Sequence, residues 1–86
     1  MIKRFIDSDL FSKKFFRSLS AEEKVLWFYI TQSCTYDGFW EHDEDAVAFY
    51  CNNYKGEIPK IIIDKLGMYQ VDDEQWFLRK WLLFQY

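Results

Sequence analysis

Cysteine, histidine, glycine and proline are all scarce in this 86-residue chain, which holds 2 Cys, 1 His, 3 Gly and 1 Pro. Cys34 and Cys51 are too few to staple a secreted fold. They stand in no C-x-x-C or Cys/His spacing, so neither a disulfide framework nor a zinc site is expected, and both read as reduced core thiols. His42 alone removes most routes to a histidine-based triad or metal site; beside Asp43 and Glu44 it reads as a solvated surface side chain. Glycines this far apart form no phosphate-cradling loop. With Pro59 as the only proline, nothing resembles an interdomain linker, and one domain over residues 1–86 is expected.

A long apolar run is also missing. The longest uncharged stretch, Val25 to Tyr36, includes Thr31, Gln32 and Ser33 and falls short of the roughly 18 apolar residues of a membrane span, so no membrane partner is expected. Lys3-Arg4 is followed at once by Asp7, with no apolar segment or small-residue cleavage site, so the N-terminus is not a signal peptide and the expected compartment is the cytoplasm. An enzyme is not expected, because no nucleophile has a partnered base. The carboxylates Glu41, Asp43, Glu44 and Asp45 read as solvated charges at a helix start rather than a metal site. No cofactor is implied.

What is abundant is apolar and aromatic surface. Hydrophobic residues make up 50% of the chain and aromatics 22%, which excludes a disordered segment and suggests area reserved for a partner. A chain of this size buries only about 60 to 65% of its unfolded surface, so its core must be dense. The net charge of −3 is awkward for nucleic-acid binding, since lysine and arginine supply most affinity for phosphate. The acid is concentrated in the middle: residues 1–24 carry 6 basic and 4 acidic groups, 37–57 carry 1 and 6, and 58–86 carry 4 and 4.

Local signals predict the elements. Asp7 or Ser8 can cap a short helix through about Arg17, with Leu10, Phe11 and Phe15 on one face. Ser20-Ala21-Glu22-Glu23 is a capping box, so a second helix begins at Ala21 and runs to about Cys34. Its segment Val25 to Ile30 is apolar on nearly every side, as in a central helix or one facing both core and partner. Tyr36-Asp37-Gly38 reads as a turn and Phe39-Trp40-Glu41 as a short strand. Asp43 caps a helix from Glu44 to about Cys51, with Ala46, Val47, Phe49 and Tyr50 as its apolar face. Glu57 to Leu66 reads as a helix with Pro59 in its first turn, Ile58, Ile62 and Leu66 at i, i+4 spacing, and Gly67 ending it. The β-branched run Ile61 to Ile63 argues instead for a strand, but the proline and glycine are helix punctuation. Met68 to Val71, Asp72-Asp73-Glu74 and Gln75 to Arg79 read as a hairpin with an acidic turn. The fold class is therefore mainly α with a small antiparallel β-hairpin (α+β), in the order of a winged helix-turn-helix.

Two stretches carry a family resemblance. Leu26-Trp27-Phe28-Tyr29 with Cys34-Thr35-Tyr36-Asp37-Gly38-Phe39-Trp40-Glu41, and Gln75-Trp76-Phe77-Leu78 closing on Trp81-Leu82-Leu83-Phe84-Gln85-Tyr86, resemble the N-terminal winged-helix domain of phage replisome organisers and DnaD-type primosome proteins. The opening Phe5-Ile6-Asp7-Ser8-Asp9-Leu10-Phe11 resembles their start. The similarity runs over essentially the whole chain. It implies a non-catalytic replication-initiation module of phage or prophage origin, the N-terminal piece of a longer protein, helping a helicase loader, helicase or origin complex assemble. It also implies self-association. The apolar ending Trp81 to Tyr86 fits a cut or an interface.

Two uses compete. Double-stranded DNA would be met by Lys55, Lys60, Lys65, Arg79 and Lys80, which neutralise phosphates but offer no Arg, Asn or Gln on the Glu57 to Leu66 helix for reading base edges. Asp72, Asp73 and Glu74 at the hairpin tip repel phosphate. The alternative is a protein-protein oligomerisation or docking domain of a primosome or helicase-loading protein, using Trp27, Trp81, Phe84 and Tyr86, since interface cores favour aromatics. A winged-helix transcriptional regulator is a third reading.

Overall fold

Side-chain chemistry at Ser20 sets the start of the longest helix. In the computed structural model, which describes residues 9–52, 54 and 57–80, the Ser20 hydroxyl accepts from the Glu23 amide at 3.2 Å, while the Glu23 carboxylate accepts from the Ser20 amide at 2.7 Å. The capping box opens α2 (Ala21–Ser33), which buries Leu26, Trp27, Ile30 and Thr31 and leaves Val25 exposed. It is the central helix of the domain.

The segment before it differs from expectation. A 3₁₀ turn (Leu10–Ser12) and the short helix α1 (Lys14–Arg17) replace a continuous helix, because Lys13 is extended at φ −78° and ψ 134°. That residue resets the helical phase. Phe16 and Leu19 therefore face inward with Leu10, while Phe11 is exposed and Phe15 half-buried. The expected start at Asp7 or Ser8 lies outside the described residues.

After α2, the Gly38 amide donates to Thr35 O at 2.9 Å in a tight turn, Gly38 adopting φ 95°. The chain then enters β1 (Phe39–Glu41). Asp43 caps α3 (Glu44–Tyr50), its carboxylate accepting from the amides of Asp45 and Ala46 at 3.0 and 3.2 Å. The connection from α3 runs from Cys51 to Pro59, longer than the three- or four-residue turn of a compact helix-turn-helix. Tyr54 anchors it, its hydroxyl donating to Glu57 O at 2.7 Å. Pro59 is the N-cap of α4 (Lys60–Leu66), so this helix starts later than the sequence pattern predicts. Ile58, Ile62 and Leu66 all face the core, as their spacing requires. The isoleucine run is helical, and the strand reading fails there.

Gly67 ends α4 at φ 62° and ψ 40°, where its amide reaches Ile63 O. A Cβ at this position would meet the Lys80 Cγ at 3.0 Å and the Lys80 amide nitrogen at 3.4 Å. The lysine stem can give way, so the left-handed backbone is the main obstacle to substitution. Gly67→Ala is expected to cost about 1 to 2 kcal/mol, and Gly67→Asn less, because asparagine tolerates this region. Urea midpoints of the two variants check the order.

The hairpin of β2 (Met68–Gln70) and β3 (Gln75–Leu78) follows. Three strands form an antiparallel sheet in the order β1-β3-β2, with Phe39 opposite Phe77 and Tyr69 opposite Phe77. The inner face presents Trp40, Met68 and Leu78, all buried. Helices and sheet close over one core, giving the expected mainly helical α+β fold. Among the described residues no helix is long and apolar enough to cross a membrane.

Candidate nucleic-acid interface

Four of the five basic residues singled out in the sequence lie on described structure. The end of β3 lays two of them, Arg79 and Lys80, against the last turn of α4, which carries Lys65. The amides of Arg79 and Lys80 donate to Gly67 O and Leu66 O, each at 3.1 Å, so the chain leaving the sheet is tied back onto the helix terminus. There the Arg79 Nε donates to Gly67 O at 3.3 Å and the Lys80 Nζ to Asp64 O at 3.4 Å. Lys65, in the last turn of α4, holds its ammonium 5.0 Å from the centre of the Phe15 ring. Cations here complement the negative end of the helix and satisfy its last carbonyls. An arginine has five donors, so that duty leaves most of the Arg79 guanidinium for a ligand.

Lys60 is exposed at the opposite end of α4 and does not join this cluster. Lys55, Trp81, Phe84 and Tyr86 lie outside the described residues. Trp27, expected at an interface, is instead 3% exposed. Its indole packs 5.2 Å from Phe15 and 6.2 Å from Phe16, so its area is used inside the domain.

The opposite pole is acidic. At the hairpin tip the Asp72 carboxylate accepts from the amides of Glu74 and Gln75 at 2.9 and 2.8 Å, which gives that charge a turn-closing role. The His42 amide donates to Glu74 O at 2.6 Å, joining the tip to the start of α3. Glu41, His42, Asp43, Glu44, Asp73 and Glu74 line an open depression of about 560 Å³. His42 is half-buried rather than freely solvated, its ring stacked 5.3 Å from Trp40. Among the described residues no group of three or more His, Cys, Asp or Glu is placed to hold a metal ion. Acidic side chains thus gather at this tip and basic ones at the end of α4.

Cys34 and Cys51 are buried thiols joined in no disulfide. Burial pushes the Cys51 thiol above its ordinary pKa, which keeps it protonated and unreactive at neutral pH. Burial also raises the Tyr29 phenol, helped by the charge of Asp43, and the Tyr54 phenol, helped by Glu23. The unfolded chain loses these protons first as pH climbs, whereas the folded protein holds them longer. The stability these groups contribute is therefore complete at neutral pH and is lost as pH rises through the alkaline range. Urea midpoints should fall between pH 7 and about pH 10.5, and Cys51→Ala should make the fall shallower. A midpoint flat across that interval would contradict the assignment.

Sequence reasoning missed one surface. Phe49 and Tyr50 were expected on the apolar face of α3, yet they are 79% and 61% exposed. Val47 and Cys51 define the inward side, and at 100° per residue Phe49 lies opposite them, so a helical wheel centred on Val47 would have found it. Compared with family models, curated proteins and solved structures, the chain matches none of them.

Proposed function

We propose that this domain is a winged helix-turn-helix module of a phage-type replication-initiation protein, with no chemistry of its own, that helps assemble an initiation complex and touches duplex DNA weakly. The observation that carries this reading is the seating of Arg79 and Lys80 on the C-terminal turn of α4, the turn that also carries Lys65. The element order and the β1-β3-β2 sheet support it, since the hairpin follows α4 and receives the short strand β1 alongside β3. The long α3–α4 connection is a departure from the compact motif. Contact of this kind rests on phosphate charge, without base-edge readout from α4.

A second reading, a docking or self-associating domain of a helicase-loading assembly with no direct DNA contact, is favoured by the carboxylates at the hairpin tip. Duplex binding at low and moderate salt, with mass in solution by light scattering, separates the two. Salt-sensitive binding that Lys60→Glu and Lys65→Glu remove supports DNA contact. A stable oligomer indifferent to DNA supports docking.

A further inference from the structure

The most exposed large apolar side chain among the described residues is Phe49, on the outer side of α3. It is part of a built surface. The Phe49 ring meets Tyr50 edge-on at 5.0 Å, Tyr50 stacks on Tyr29 of α2 at 5.5 Å and 22°, and Tyr29 in turn sits edge-on to the buried Trp40 at 6.2 Å. Val25, one helical turn before Tyr29, is 42% exposed on the same side. The inner rings are locked by their neighbours, so little side-chain freedom remains to be lost on binding. Aromatic anchors of this kind dominate interface energetics.

Among the described residues the rim has one sign. Glu22 lies in the first turn of α2, its carboxylate accepting from the Asn52 side-chain amide at 3.3 Å. Asp45 lies one turn before Phe49 on α3, and the N-cap Asp43 acts electrostatically on the Tyr29 hydroxyl. α3 carries no cation. On α2 the only one is Lys24, whose ammonium is drawn 6.0 Å over the Phe16 ring. Helical spacing places Lys24 about 100° round the helix from Val25, away from Glu22 and Tyr29.

We propose that the aromatic patch of Val25, Tyr29, Phe49 and Tyr50, rimmed by Glu22 and Asp45, docks a cationic amphipathic segment of a different protein chain. Apolar side chains of that segment seat on the rings while its lysines or arginines meet the carboxylates, a pairing that steers encounter and rejects acidic competitors. Nucleic acid is the wrong occupant, because its phosphates would meet the same carboxylates. The patch is built from α2 and α3, which carry none of the residues proposed to touch DNA, so it stands or falls independently of that reading.

The test uses the full chain and two labelled synthetic peptides with identical leucine spacing, one with lysine and one with glutamate at every polar position. Fluorescence anisotropy should show the lysine peptide binding and weakening as salt rises, with the glutamate peptide not binding. Phe49→Ala combined with Tyr50→Ala should reduce affinity about tenfold or more, as loss of aromatic anchors does. Glu22→Gln with Asp45→Asn should reduce it less and flatten the salt dependence. These positions are outside the core, so unchanged thermal melts confirm folding of each variant. Four results overturn the proposal: equal binding of both peptides, no binding at any salt, a loss of affinity caused instead by neutralising Asp72, Asp73 and Glu74, or self-association that Phe49→Ala abolishes, which would make a second copy the occupant.

Discussion

Phe16→Ala is expected to remove a large share of the stability of this domain. Phe16 is fully buried and ringed by Phe11, Phe15, Trp27 and Phe28, with centroids 5.2, 6.3, 6.2 and 5.6 Å away. Truncating such a residue costs about 3 to 5 kcal/mol, combining lost transfer energy with the cavity left behind. A domain of this size has a total of only about 4 to 13 kcal/mol. The melting temperature should fall by about 12 to 40 °C, at the roughly 4 to 8 °C per kcal/mol typical of small domains. Phe11→Ala is the control. Phe11 is 63% exposed and offers mainly an edge contact to Phe16, worth about 0.5 to 1.5 kcal/mol. Circular-dichroism melts of the two variants should be widely separated. If Phe16→Ala melts within a few degrees of Phe11→Ala, the core is not organised around this ring.

The second large effect concerns DNA. If Lys60, Lys65, Arg79 and Lys80 each neutralise one phosphate, a plot of log affinity against log salt should have a slope of about −3.6. Affinity would then drop by roughly two orders of magnitude between about 50 and 200 mM salt. Reversing Lys60, Lys65 and Lys80 to glutamate leaves one contact and should bring the slope to about −0.9, with binding lost at moderate salt. These three side chains are exposed, and because Lys65 and Lys80 also complement the C-terminal end of α4, a thermal melt of the variant checks that it folds. An unchanged slope would place the contact elsewhere on the molecule and remove α4 from the interface. Fluorescence anisotropy with a short duplex over a salt series measures it.

The elements were legible where a side chain bonds to its own backbone or a residue limits φ. The Ser20–Glu23 box, the Asp43 cap, Gly38 and Gly67 each fixed a boundary that the structure keeps within a residue or two. Pairing of β1 with β3 could also be expected, because the order of elements leaves a three-residue strand few other partners. What periodicity misjudged was burial in short helices. A single extended residue at Lys13 exchanged Phe15 for Phe16, and two turns of α3 were too few for apolar content to reveal which side faces in. The candidate site was legible as a set of cations but not as a cluster. The seating of Arg79 and Lys80 on the last turn of α4 depends on a left-handed glycine and a strand end folding back on a helix, both of which are tertiary events.

The arrangement of the three strands also dictates an order of assembly. Gln70 and Trp76, paired across the hairpin, are 76 − 70 = 6 positions apart, whereas Glu41 and Gln75 are 75 − 41 = 34 apart. Closing the longer loop costs more chain entropy, while a hairpin zips from its own turn in about 1 to 10 μs. The ribbon is therefore expected to form first, with Phe39–Glu41 joining it once α3 and α4 have collapsed between them.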